Sequence, residues 1–250
     1  MAGHSHSANI RHKKGANDAK RGKIFSKHAR AIFVAARLGG GDPEMNLRLK
    51  YAIEKAKSDN TPKDNIERAI RKGCGESDGA SYETVIYEGY LAGGVAVLID
   101  TLTDNRNRTV PELRSILERR GGNLAASGSV AWIFEQKSIF RVSAENKSEE
   151  DLLEVAAEVG ADDVERVGPS FEIVAEARSF AEIRNALGEQ RIEVEAAEIT
   201  YRPKNTVEIE DENMGRKVFE ALDDLENCDD VQNTYANFEM DEALLEKLAE

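Results

Sequence analysis

The spacing of apolar residues changes character once along this chain, and that change limits the folds open to it. Before residue 73 they recur at three- and four-residue intervals, as on one face of a helix. Beyond residue 82 they alternate or run in short blocks bounded by turn residues, with helical stretches between. GCGESDGAS, at 73–81, has the composition of a linker. A helical N-terminal domain followed by α+β structure is therefore expected.

In the first part, Ile24, Phe25, His28, Ala29, Ile32, Phe33 and Ala36 share one face of a helix expected from Arg21, and GGG at 39–41 ends it. His28 on that face reads as a packed core histidine. Asp42-Pro43 reads as the start of a second helix, with Met45, Leu49, Ala52, Ile53 and Ala56 inward. Thr61-Pro62 repeats that start signal, with Asp64 at the capping-box position and Ile66, Ala69 and Ile70 following, before Gly73 closes the third helix.

After the linker, strands are expected near 82–90 and 93–102, then a helix over 109–120 and a strand over 128–135. The helix opens on a capping box from Thr109 to Glu112, with Pro111 in its first turn. Residues 137–201 then spell β-α-β-β-α-β, the ferredoxin-like order. A helix at 211–226, a strand at 229–238 and a terminal helix from Asp241 remain. Joined to 82–135 they complete a second α+β sandwich, into which the ferredoxin-like unit is inserted. The expectation is thus an α+β protein of three domains. They are a basic helical domain with a flexible arm (1–79), a discontinuous middle domain (80–136 plus 204–240) and an inserted ferredoxin-like domain (137–203).

Charge is divided along the same lines. The 250 residues carry a formal net charge of −13, yet residues 1–75 hold 17 Lys/Arg against 7 Asp/Glu, and the rest hold 17 against 40. In NIRHKKGANDAKRGK, at 9–23, six residues are Lys or Arg, His12 adds a seventh basic group, and Asp18 is the one acid. Such asymmetry suggests a polyanion-binding head on an acidic body. Candidate phosphate contacts are Arg11, His12, Lys13, Lys14 and Lys20 in the arm, continued by Arg21, Lys23, Lys27 and Arg30. A solvated tail is the plainer reading of such a run. TDNRNRT, at 103–109, supplies Arg106, Asn107 and Arg108 before a helix N-terminus, where free N–H groups favour anions. Asp104 could equally pair with either arginine and order the loop.

Other classes find little support. There is no G-x-S-x-G, no Walker A and no G-x-G-x-x-G opening a helix, so neither catalysis nor a cofactor is expected. His4 and His6 form an H-x-H with no further ligand at suitable spacing, and no metal is expected. Cys74 and Cys228 read as incidental thiols, and Asp223, Asp224, Asp229 and Asp230 as a solvated acidic surface. Residues 137–203 hold 8 basic and 16 acidic residues, the wrong balance for a nucleic-acid platform. No apolar run is long enough for a membrane span, and MAGHSHSANIRHKK lacks the apolar core of a signal peptide, so a cytoplasmic protein is expected.

MAGHS, RHKKGANDAKRGKIF, LGGGDP, YEGY, TDNRNRT and GGNLAASGSVAWIF, in this order, resemble the YebC/PmpR family, which includes the mitochondrial translational activator of cytochrome c oxidase. The resemblance spans essentially the whole chain. It implies an N-terminal helical domain and two α+β domains, one interrupting the other. It also implies a regulator of gene expression that binds nucleic acid without catalysing a reaction. DNA-binding transcriptional regulation is the leading function it implies. The alternative is a translation factor that binds rRNA and the ribosome and relieves stalling. A small-molecule-sensing or catalytic role is a third, more distant alternative. Family members often carry Lys and Trp after MAGHS, where this chain has His6 and Ser7.

Overall fold

The computed structural model describes residues 18–75, 82–143 and 149–249. These fall into two compact units: Ile133–Lys204, and a second made of the described residues before and after it.

The second unit opens with three helices, α1 (Asp18–Gly39), α2 (Leu47–Ser58) and α3 (Lys63–Cys74). Their apolar stripes close a small core of Ile32, Ala35, Ala36, Leu49, Ile53, Ala56, Ile66 and Ala69. Gly73 sets how closely α1 and α3 approach: a Cβ there would lie 2.5 Å from the Phe33 carbonyl oxygen and 2.8 Å from Ala36 Cβ. His28 is largely buried but polar in its contacts, with Nε2 2.7 Å from Asp59 Oδ2.

Two helix starts differ from expectation. Asp42-Pro43 forms a turn, not a cap, because Asp42 Oδ1 accepts from the Glu44 N–H and its carbonyl from Met45 and Asn46. Asn46 caps α2 by accepting from the Leu49 N–H at 3.1 Å, while its Nδ2 donates to the carbonyls of Ala35 and Gly40, both at 2.8 Å. One buried amide thus joins α1, the turn and α2. Met45, left outside the helix, is 83% exposed and not a core residue. At α3 the N-cap is Pro62, which has no side chain able to accept a hydrogen bond.

The same unit continues with β1 (Glu83–Tyr90), β2 (Ala96–Thr103), α4 (Arg106–Arg119) and β3 (Asn123–Leu124). After residue 204 it resumes with β8 (Val207–Glu208), α7 (Glu212–Glu226), β9 (Val231–Ala236), β10 (Phe238–Glu239) and α8 (Glu242–Ala249). An antiparallel sheet forms in the order β3-β1-β2-β9. Val97, Ile99 and Val231 of the sheet share one core with Leu113, Leu117, Val218, Ala221 and Leu225 of α4 and α7. Cys228 lies in this core, and burial pushes its thiol up to about 11. Cys74 is exposed.

The other unit holds β4 (Phe134–Ser143), α5 (Glu149–Glu158), β5 (Asp163–Val167), β6 (Ser170–Glu176), α6 (Phe180–Glu189) and β7 (Val194–Pro203). Its antiparallel sheet has the order β5-β6-β4-β7. That order and β-α-β-β-α-β connectivity make the ferredoxin-like fold. Phe140 and Phe180 stack across its core at 5.0 Å between centroids.

Of the strand expected at 128–135 only Phe134 and Glu135 are extended: they open β4, which runs on through the strand expected at 137–143, after a 3-10 turn at Ala131–Ile133. The cause is Glu88 on β1, 5% exposed, whose carboxylate accepts from the N–H groups of Gly128 (2.6 Å), Val130 (2.6 Å) and Ala131 (2.8 Å). Those donors would otherwise face a neighbouring strand. Burial alone would raise the Glu88 pKa, but the bound N–H groups outweigh it and hold the carboxyl below its ordinary value.

Candidate nucleic-acid interface

Lys23, Lys27 and Arg30 stand four and three residues apart on α1, so helical geometry sets them in one row. The row meets the C-terminal end of α7. Lys23 Nζ donates to the Asn227 carbonyl at 3.1 Å and to its Oδ1 at 3.4 Å, and Lys27 Nζ donates to the Glu226 carbonyl at 2.7 Å. Arg30 Nη1 donates to the Asp229 carbonyl and lies 3.5 Å from Asp230 Oδ1. Its guanidinium also sits 5.4 Å from the centre of the Tyr82 ring. The last carbonyls of a helix have no partner within it and carry the negative end of its dipole, which is why cations collect there.

A second cluster forms around Asp230. Its side chain is 2% exposed and accepts from Arg108 Nη2 at 2.8 Å on both oxygens, from Thr109 Oγ1 at 2.7 Å and from Thr103 Oγ1 at 3.2 Å. Burial pushes its carboxyl up, but the Arg108, Thr109 and Thr103 bonds outweigh that and lower it. Arg108 in turn is raised, mainly through its bond to Asp230.

TDNRNRT is largely accounted for by this cluster. Asn105 caps α4, accepting from the Arg108 N–H at 3.3 Å, so Arg106, Asn107 and Arg108 lie in the first helical turn, not in a loop. The Thr109 capping box does not form, and Pro111 sits in the second turn, where its missing N–H leaves the Asn107 carbonyl without its helical partner. Arg108 pairs with Asp104 at 3.0 Å as well as with Asp230, and Arg106 forms a two-pronged pair with Glu83. Asn107 is exposed. Asp230 is no part of a solvated acidic surface: it is buried, while the neighbouring Asp229 is exposed.

A cleft of about 480 Å³ is bordered by Lys23, Arg30, Arg108, Tyr82, Asp229 and Asp230. Chemically it is a set of N–H donors already facing oxygen acceptors. Arg11, His12, Lys13 and Lys14 lie outside the described residues, as does the side chain of Lys20, and Arg21 is exposed on α1. Further exposed cations not singled out from sequence lie on α2 and α3: Arg48, Lys57, Arg68, Arg71 and Lys72. On α3 they occupy positions off the Ile66-Ala69-Ile70-Gly73 stripe, which is where an amphipathic reading would have found them.

The family model of the TACO1/YebC N-terminal domain matches residues 5–76, and that of the TACO1/YebC second and third domain matches residues 82–238. The chain belongs to the TACO1/YebC family. Relatives named "Probable transcriptional regulatory protein" extend along its full length. The one from Aquifex aeolicus is 51% identical, covering 99% of this chain and 100% of that one. The one from Natranaerobius thermophilus is 49% identical over 98% and 99% respectively. The crystal structure of a conserved hypothetical protein from Aquifex aeolicus is similar with a TM-score of 0.80 and 50% identity, over 90% of this chain and 93% of that one. The α+β fold follows the family, and the relatives' name makes this chain a candidate regulator of transcription. No helix among the described residues is long and apolar enough to cross a membrane.

Proposed function

We propose that this protein is a non-enzymatic regulator of gene expression that acts in the cytoplasm and binds nucleic acid, foremost DNA, through its N-terminal helical domain. The observation that carries this reading is the segregation of charge: 17 Lys/Arg against 7 Asp/Glu in residues 1–75, and 17 against 40 in the remainder. An acidic body repels a polyanion while the basic domain attracts it, so binding is both local and oriented. The arm cations Arg11, Lys13 and Lys14, Lys20 in the first turn of α1, and the exposed cations of α1, α2 and α3 supply the phosphate contacts. Arg106 and Arg108 are about half exposed but engaged with carboxylates, and they stand at the margin of this surface.

Cations spread over three helices read phosphates more than base edges, and phosphates are common to DNA and RNA. That spread favours, as a second reading, a translation factor bound to rRNA on the ribosome. Crosslinking in cells followed by sequencing of both bound DNA and bound RNA separates the two. Peaks at promoters support the first reading, peaks in rRNA the second, and no enrichment of either refutes nucleic-acid binding.

A further inference from the structure

We infer that Lys23, Lys27 and Arg30 form a latch that keeps part of the basic surface closed until nucleic-acid phosphates displace it. The inference rests on the nucleic-acid reading above and adds a mode of regulation to the same site. All three side chains donate to one short stretch, the carbonyls of Glu226, Asn227 and Asp229, with Asp230 behind them. While these bonds hold, the N–H groups that make them are not available to phosphates, which are left the remaining N–H groups of each cation. The stretch also carries the exposed Asp229, whose negative charge disfavours a polyanion approaching that row.

The contacts are of a kind that opens. The Lys23 bonds and the Arg30 bond to Asp229 are solvent-exposed, and exposed ionic contacts are individually weak and screened by salt. A phosphate oxygen carries a full charge and accepts from Lys and Arg more strongly than a neutral carbonyl does. The two sides of the latch have cores of their own, Ile32 to Ala69 for the helices and Leu91 to Leu244 for the sheet domain, so parting them disrupts neither. Asp230 keeps Arg108, Thr103 and Thr109 when Arg30 leaves.

The test alters the acceptor side and leaves every proposed phosphate contact intact. Asn227→Lys with Asp229→Lys sets two ammonium groups against Lys23 and Arg30. Glu118→Lys with Glu208→Gln, at exposed positions of the sheet domain, gives the same gain of three charges away from the latch. Full-length proteins are compared for binding of a 20-bp DNA duplex and a 20-nucleotide RNA hairpin, and for amide hydrogen exchange over α1 and residues 226–231. A latch closed about four-fifths of the time weakens apparent affinity about five-fold, because only the open fraction binds. The latch variant is therefore expected to bind about five-fold more tightly than the charge-matched control. It should also exchange faster over those segments without ligand, a state the wild-type protein reaches on adding duplex or hairpin. Equal affinity of latch variant and control overturns the latch, as does unchanged exchange when the wild-type protein is saturated. If no protein binds either probe, the nucleic-acid reading fails and the regulatory role fails with it, while exchange without ligand still reports whether the contact exists. Should the double variant not fold, Asp229→Lys alone against Glu118→Lys makes the same comparison.

Discussion

Asp230→Asn tests whether the TDNRNRT motif is held by a buried carboxylate. In the native protein this side chain is 2% exposed and bonded to Arg108, Thr109 and Thr103. Asparagine keeps the shape but turns one acceptor oxygen into an NH2 group that faces donors. Removing one partner of a buried ion pair costs about 3–5 kcal/mol. The Arg108 side chain is 50% exposed, so water recovers part of that loss, and about 2–3 kcal/mol is expected. At about 2–4 °C per kcal/mol for a chain of this size, the melting temperature should fall by roughly 5–10 °C. The pH dependence gives a second signature. Because the carboxyl is lowered in the folded state, its stabilisation is fully present above the unfolded value of about 3.9 and is lost as pH falls through the folded value. The variant should lose less stability over that acid range than the wild-type protein does. Thermal unfolding followed by circular dichroism at pH 7 and down to pH 3 measures both. A fall under about 2 °C, or an unchanged acid slope, would refute the reasoning.

Three further outcomes follow from other sites. Glu88→Ala strands three loop N–H groups, so urea unfolding should show a loss of about 2–4 kcal/mol and amides 128–131 should exchange faster; unchanged exchange there would count against the Glu88 clamp. Gly73→Ala places a methyl 2.5 Å from the Phe33 carbonyl oxygen and should destabilise the helical domain by about 1–3 kcal/mol, a loss that differential scanning calorimetry would miss only if α1 and α3 separate freely. Arg106→Ala with Arg108→Ala should lower the melting temperature while leaving the slope of log affinity against log salt unchanged. A slope reduced by about one to two units would instead put both guanidiniums on phosphates.

The three-helix domain and the ferredoxin-like unit were legible because each is built from local patterns, a 3.6-residue apolar stripe or alternating strands with turn residues between. Helix starts were less so. Asp42-Pro43 and Asn46 are equally good signals, and the contacts of Asn46 with Ala35 and Gly40, eleven and six residues away, decide between them. The 128–135 segment has the composition of a strand, and a carboxylate forty residues earlier, Glu88, takes its donors. Charge segregation made the basic domain visible, whereas the pairing of Lys23, Lys27 and Arg30 with residues about 200 positions on could not be read from spacing. Asp230 was misread for the same reason. One aspartate in an acidic run is distinguished by the partners folding brings to it, and these lie at 103, 108 and 109.

Salt dependence of binding tests the central claim most directly. Anisotropy titrations of a labelled 20-bp duplex and a 20-nucleotide RNA hairpin between 50 and 300 mM salt would compare wild-type protein with Arg68→Ala/Arg71→Ala/Lys72→Ala, a change confined to the exposed face of α3. The account predicts log affinity falling linearly with log salt, by about 0.7 to 0.9 per phosphate neutralised, and a slope shallower by about two to three units in the variant. Binding that ignores salt, or a variant with the wild-type slope, would contradict a nucleic-acid interface on the helical domain.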